Sequence, residues 1–230
     1  MSQPIDGGIL VSVFGFPRRQ PTRRIHRLQA YCGVVHCAIE CGQKLPSIDG
    51  RPGSMNSSLD GRARRPAVFF DRDGVLNKDI GFLFESHKLV WIEGAREAVK
   101  AANDMGYFAF VVTNQSGVAR GLYEEAHVQE LHDWMAAELG KIGAHIDAFE
   151  YCPFHPEGIV EQYRQDSHRR KPAPGMINDL LERFPVDLER SFLVGDQPRD
   201  LEAARAAGLK GYQFSGPNLE LFLKPLLLGN

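Results

Sequence analysis

Several features that would narrow the field are scarce in this 230-residue chain. Cysteine is one. Four thiols, Cys32, Cys37, Cys41 and Cys152, are too few for a disulfide scaffold, so a reducing cytoplasm is the expected location. Long apolar runs are missing as well. None approaches the ~18 residues of a membrane-spanning helix, so no integral membrane protein is expected. Net charge is nearly absent, at −2, which argues against a polycation built for nucleic acid. There are no internal repeats. The first apolar run, Ile9 to Phe16, has no basic residue before it and so does not read as a secretory signal.

The little charge there is lies unevenly. Residues 1–65 hold 10 Lys/Arg against 4 Asp/Glu, a net of +6, and the remainder carries −8. The first segment is rich in turn formers and basic pairs such as Arg18-Arg19 and Arg23-Arg24. Few of its apolar residues recur at helix or strand period, so little burial offsets the entropy of ordering. Residues 1–65 are therefore expected to be a basic, disordered extension, with Met55 a candidate start. Cys32, Cys37 and Cys41 cluster but lack a fourth ligand at zinc-like spacing, His36 being the only nearby candidate, and they read as incidental thiols.

Residues 66–230 read as one domain. Apolar runs at Ala67–Phe70, Tyr107–Val112, Ile146–Tyr151, Ser191–Val194 and Lys210–Phe214 suggest strands. Helical periodicity occupies 93–103, 124–142, 176–184 and 201–207, and the leucine-rich C-terminus suggests a last helix. Alternating strands and helices imply a Rossmann-like α/β fold, a parallel sheet covered on both faces. Ligands bind such sheets at the carboxyl ends of the strands. Trp91 and Trp134 are expected in the core, and His127, His132 and His145 on helix surfaces or ends.

Four polar clusters fall at those strand ends. Phe69-Phe70-Asp71-Arg72-Asp73-Gly74 sets two carboxylates at i and i+2 straight after a buried strand. They repel unless a cation lies between them, so the segment is either a Mg²⁺ site with a carboxylate nucleophile or a turn capped by Asp. Thr113-Asn114-Gln115-Ser116-Gly117 offers hydroxyls, amides and backbone N–H groups, suited to an anion or to a helix cap. Arg169-Arg170-Lys171-Pro172-Ala173-Pro174 brings cations to the start of a helix. Phe192-Leu193-Val194-Gly195-Asp196 repeats the order of strand, then acid.

In this order the clusters resemble the haloacid dehalogenase (HAD) superfamily. The stretches FFDRDGVLN, VVTNQSGVARG, YCPFHPEG, RKPAPGM and LVGDQPRDLEAA resemble its D-glycero-D-manno-heptose 1,7-bisphosphate phosphatase and histidinol-phosphatase branch. They cover about residues 66–215. The resemblance implies Asp71 as the nucleophile that becomes an aspartyl-phosphate, and Asp73 as the general acid and base. It implies Thr113 and Lys171 as stabilisers of the phosphoryl oxygens. Mg²⁺ would be held by Asp71, the Asp73 carbonyl and Asp196. The gaps between clusters leave no room for a further domain, so a capless enzyme is expected. Loops must then select the substrate: Asp79, Ile80, Gly81 and Phe82, then Asn114, Gln115 and Ser116, with Arg170 beside the catalytic lysine.

The branch's zinc loop is broken here. Its four ligand positions are Cys152, Phe154, Ser167 and Arg169, and only the first can ligate zinc. His155 and His168 sit one residue from lost positions, where an extended loop reverses the side-chain direction. The expected loop is free of zinc, with a site rebuilt from Cys152, His155 and His168 as the alternative. The expected enzyme is a cytoplasmic, Mg²⁺-dependent monomer acting on a small phosphorylated sugar, with a heptose bisphosphate the expected substrate. Histidinol phosphate is the alternative within the branch. A nucleic-acid 3′-phosphatase is disfavoured by the acidic body. A non-catalytic phosphosugar-binding protein would be expected to have lost an acid, Thr113, Lys171 or Asp196, and all are present.

Overall fold

Five short strands form one wholly parallel sheet: β1 (Ala67–Phe70), β2 (Phe108–Asn114), β3 (Ala148–Cys152), β4 (Phe192–Gly195) and β5 (Lys210–Gln213). Their order across the sheet is β3-β2-β1-β4-β5. The computed structural model describes residues 63–229, so the expectations for residues 1–62, the cysteine cluster among them, lie outside the described residues. Helices α1 (Ala95–Asp104), α2 (Glu125–Gly140), α3 (Gly175–Arg183) and α4 (Pro198–Ala206) alternate with the strands, and α5 (Leu219–Leu227) ends the chain. The doubly covered α/β sheet expected from the sequence is the fold observed.

Every residue of β1 is buried because the strand has helices on both sides. Val68 and Phe70 pack with Ala98 and Val99 of α1, Leu131, Met135 and Leu139 of α2, and Leu219 and Leu223 of α5. Ala67 and Phe69 point the other way, toward Met176, Ile177 and Leu180 of α3 and Ala203 and Ala204 of α4. The C-terminal helix thus packs back on the sheet, and Tyr107 Oη donates to the Leu227 carbonyl at 3.1 Å.

Element ends lie within three residues of the sequence reading, and β1 matches it at both ends. The largest shift is at α4. Its first turn, Pro198-Arg199-Asp200, has no apolar periodicity to reveal it. Proline at the first helical position and a reciprocal cap between Gln197 and Asp200 start the helix there.

His132 corrects an expectation. It lies on the buried face of α2, with only 4% of its surface exposed, stacked 4.6 Å from Phe149. Trp91 and Trp134 are half-buried and stack on each other at 6.5 Å.

Strand β1 sits between β2 and β4, and the chain leaves it in one direction and returns on the other side. The loops after β1 and β4 diverge there, which opens a crevice at the carboxyl ends of the strands.

Candidate active site

That crevice is a cavity of about 220 Å³ lined by Asp71, Asp73, Thr113, Asn114, Gln115, Ser116 and Lys171, among others. Asp71 leaves the end of β1. Its Oδ1 accepts from the Arg72 backbone N–H at 2.7 Å and from Lys171 Nζ at 2.8 Å. Lys171 Nζ also donates to the Val112 carbonyl at 2.8 Å and lies 2.7 Å from Asp200 Oδ1. The ammonium is thus held by one carbonyl and two carboxylates. Burial alone would pull the lysine down, but Asp71 and Asp200 outweigh it and hold the group above its ordinary value. Burial pushes the Asp71 carboxyl up to about 6. Lys171 opposes that rise and Asp200 adds to it.

Asp71, Asp196 and Asp200 bring carboxylate oxygens within 4.8 Å of one another. One lysine stands against these three acids. Asp196 Oδ2 is held by Gln197 Nε2 at 2.8 Å, whereas its buried Oδ1 has no hydrogen-bond partner. Burial raises the Asp196 carboxyl too. Crowded hard oxygen donors with an orphaned lone pair fit a divalent cation such as Mg²⁺. Gly74 makes the approach possible. Its φ is +88°, and a Cβ there would sit 2.4 Å from Asp196 Oδ2.

Asp73 is held from several sides. Arg72 NH2 donates to its Oδ1 at 3.0 Å and its Oδ2 at 2.9 Å, and Asn77 Nδ2 donates to Oδ1 at 2.9 Å. Gln115 Nε2 donates to Oδ2 at 3.0 Å. Arg72 itself is fully buried and also donates to the Leu83 carbonyl at 3.0 Å, which ties the loop after β1 to the site. Thr113 is buried at the end of β2. Asn114 clips the lysine segment in place. Its Nδ2 donates to the Lys171 carbonyl, and its Oδ1 accepts from the Lys171 N–H, both at 3.0 Å.

Most of the residues expected at the site line the cavity, including Asp79, Gly81 and Phe82. Ile80, Arg170 and Asp196 are not among the lining residues. Ile80 is half exposed. Arg170 is half-buried, with NH1 donating to the Phe154 carbonyl at 3.4 Å. Asp196 approaches Asp71 from the end of β4. Four contributors escaped the sequence reading: Arg72, Tyr123, Arg199 and Asp200. Tyr123 and Arg199 line the cavity. The signal for Asp200 was its spacing, four residues after Asp196 on the first turn of a helix. Among the described residues, Arg120, Arg170 and Arg199 pair with no carboxylate. Arg170 is pulled below its ordinary value by burial, with Arg199 and Arg120 close enough to contribute.

In the loop after β3, Cys152 is fully buried, and burial pushes its thiol up. His155 Nδ1 accepts from the Glu157 N–H at 3.1 Å, and its Nε2 lies 3.2 Å from Arg120 NH2. Both ring nitrogens are thus occupied. Arg169 stands at the branch's last zinc position and instead pairs with Glu150 and Asp179, while Arg183 also pairs with Glu150. Phe154 packs against Tyr163, whose hydroxyl donates to Glu125 at 2.7 Å.

Residues 168–214 match the model of the HAD-hydrolase-like family. The chain is 47% identical over 165 residues to a D-glycero-beta-D-manno-heptose-1,7-bisphosphate 7-phosphatase of Rhodopseudomonas palustris, covering 72% of this chain and 92% of that one. It is 45% identical over 143 residues to the alpha-anomer enzyme of Burkholderia mallei, covering 62% of this chain and 76% of the other. Among solved structures, the D,D-heptose 1,7-bisphosphate phosphatase of B. bronchiseptica, complexed with magnesium and phosphate, matches with a TM-score of 0.62 at 29% identity. That match covers 72% of this chain and 99% of that one. With a parallel sheet of this order and carboxylates at the ends of β1 and β4, the chain belongs to the HAD-type phosphatases, in the heptose-bisphosphate 7-phosphatase family.

Proposed function

We propose that this phosphatase releases the 7-phosphate of D-glycero-D-manno-heptose 1,7-bisphosphate. The relatives' named activity supports the substrate. The observation that carries the chemistry is the buried pair of Asp71 and Lys171 at the floor of a cavity that Asp73 also lines. Asp71 attacks phosphorus and takes the phosphoryl group as an acyl phosphate. Asp73 gives a proton to the departing sugar oxygen, a poor leaving group as an alkoxide, and then takes one from the water that hydrolyses Asp71. Thr113 and Lys171 stabilise charge on the phosphoryl oxygens, and Asp200 keeps the lysine in place. Asp71, the Asp73 carbonyl and Asp196 would hold Mg²⁺. When bound, the ion supplies the positive charge that lets a carboxylate approach a phosphate dianion.

Selection falls to the cavity rim. Asp79, Gly81, Phe82, Asn114 and Ser116 shape it, and Arg199 on the rim, with Arg170 and Arg120 close behind it, offers cations free of carboxylates for the second phosphate. The loop after β3 carries no zinc in this reading and is held by its ion pairs and aromatic contacts. Elemental analysis finding about one zinc per chain, lost with Cys152, would overturn that part.

The test of the function is turnover. Asp71→Asn should fold and release no phosphate, because an amide forms no acyl phosphate. The wild-type enzyme should show higher kcat/KM for the heptose bisphosphate than for histidinol phosphate. Arg199→Ala and Arg170→Ala should each narrow that gap by roughly 1.5–3 kcal/mol, the usual worth of a charged hydrogen bond. A preference for histidinol phosphate would refute the substrate and leave the phosphatase chemistry standing.

A further inference from the structure

Gln115 was expected to touch substrate. Its surroundings give it another task. Only 2% of its surface is exposed, and every polar atom of its amide is used within the protein. Nε2 donates to Asp73 Oδ2 at 3.0 Å and to Thr113 Oγ1 at 2.9 Å. Oε1 accepts from Tyr123 Oη at 2.8 Å. One amide nitrogen thus bridges the carboxylate and the hydroxyl that flank the reacting phosphate.

An amide held this way could turn over and point its oxygen at Asp73, which would set two acceptors against each other. Tyr123 prevents it by donating to the oxygen. The phenol stays a donor throughout the working range, because burial pushes it up to about 12. Its seat is built into the loop. A Cβ on Gly117 would lie 2.2 Å from the Tyr123 ring, so only glycine lets the ring lie there.

We infer that Gln115 and Tyr123 form a positioning pair that fixes the Asp73 carboxylate against the leaving oxygen, with Tyr123 setting the orientation of the amide. This rests on the assignment of Asp73 as the general acid.

The test separates leaving groups. A sugar phosphate needs a proton on its departing oxygen, whereas the nitrophenolate of p-nitrophenyl phosphate leaves without one. In a mechanism with an acyl-phosphate intermediate, kcat/KM reports the steps up to alcohol release. Gln115→Met should lower kcat/KM for the heptose bisphosphate about 10- to 100-fold, part of the usual contribution of a general acid, and lower it less than about threefold for p-nitrophenyl phosphate. Tyr123→Phe removes one oxygen from a buried ring and should show the same split at a smaller amplitude. It keeps the test valid if the glutamine variant folds poorly. Asp73→Asn is the reference and should show the largest split. Equal losses on both esters, or none, in Gln115→Met and Tyr123→Phe would overturn the positioning role while Asp73→Asn still splits them. If Asp73→Asn shows no split either, the acid assignment itself has failed.

Discussion

Asp71 carries a local conflict, a buried carboxylate that shares Lys171 with Asp200. Its proton is held more tightly in the native chain than in the unfolded one, where the ordinary value is 3.8. The group therefore contributes stability at low pH, which is lost as pH rises through about 6. A divalent cation restores what ionisation removes, and below pH 6 it competes with the proton. Mg²⁺ should thus raise the melting temperature of EDTA-stripped protein more at pH 7.5 than at pH 5, as read by calorimetry. Equal gains at the two pH values would contradict the placement of the metal. At this scale the sequence was legible where chemistry sits beside strand ends, as at Asp71, Asp73, Thr113 and Asp196. It was less legible where a residue reaches the site from beside or beyond the motifs. Arg170 precedes Lys171 in a segment of tight turns, with its N–H bonded to the Ser167 carbonyl and its carbonyl to the Ala173 N–H; the lysine is buried against Asp71 while Arg170 reaches Phe154. Arg199 arrives at the cavity from another element altogether, and only the fold reveals it.

Elements were found in the right order because apolar strands alternate with periodic helices. Their polar members were harder to place. On α2, His132 occupies a core position that periodicity assigns to an apolar residue, so composition alone sent it to the surface. It is buried against Phe149 and Tyr151, with Arg72 the charge close enough to act on it. Burial, with Arg72 adding to it, depresses the imidazole to about 3 from an ordinary 6.5. The unfolded chain binds the extra proton in that window, so stability is lost as pH falls below about 6.5, by up to ~1.4 kcal/mol per pH unit. Asp71 acts in the opposite direction between 3.8 and about 6, and the two partly cancel in metal-free protein. His132→Leu removes one side of that balance and should make metal-free protein distinctly more resistant to denaturant at pH 5, with a smaller change at pH 8. Denaturation midpoints at the two pH values are the check, and a variant with unchanged acid sensitivity would refute the buried neutral histidine.

At the scale of the whole molecule, residues 63–229 contain all five strands, both covering layers and every residue assigned to the reaction. No helix among the described residues is long and apolar enough to cross a membrane. The body begins no later than Arg65. Its N–H donates to the Pro185 carbonyl at 2.9 Å, and its own carbonyl accepts from Asp187 at 2.8 Å. Its guanidinium donates from Nε to the Gly106 carbonyl at 2.9 Å and lies 4.1 Å from the centre of the Phe108 ring. Composition marks the change of character near this point but cannot show such a clamp, because an arginine at the end of a basic segment looks like its neighbours. We propose that the preceding residues are dispensable for folding and turnover. A chain beginning at Met55 should be as soluble and as active as the full chain. Arg65→Ala in that shortened chain should cost roughly 1–2 kcal/mol, from the lost hydrogen bonds and the cation–ring contact, or a few degrees in melting temperature. Its kcat should not change, because Arg65 sits at the start of β1 and the chemistry at the other end. Failure of the Met55 chain to fold would make the first segment part of the core, and a fall in kcat for Arg65→Ala would show that the two ends of β1 are coupled.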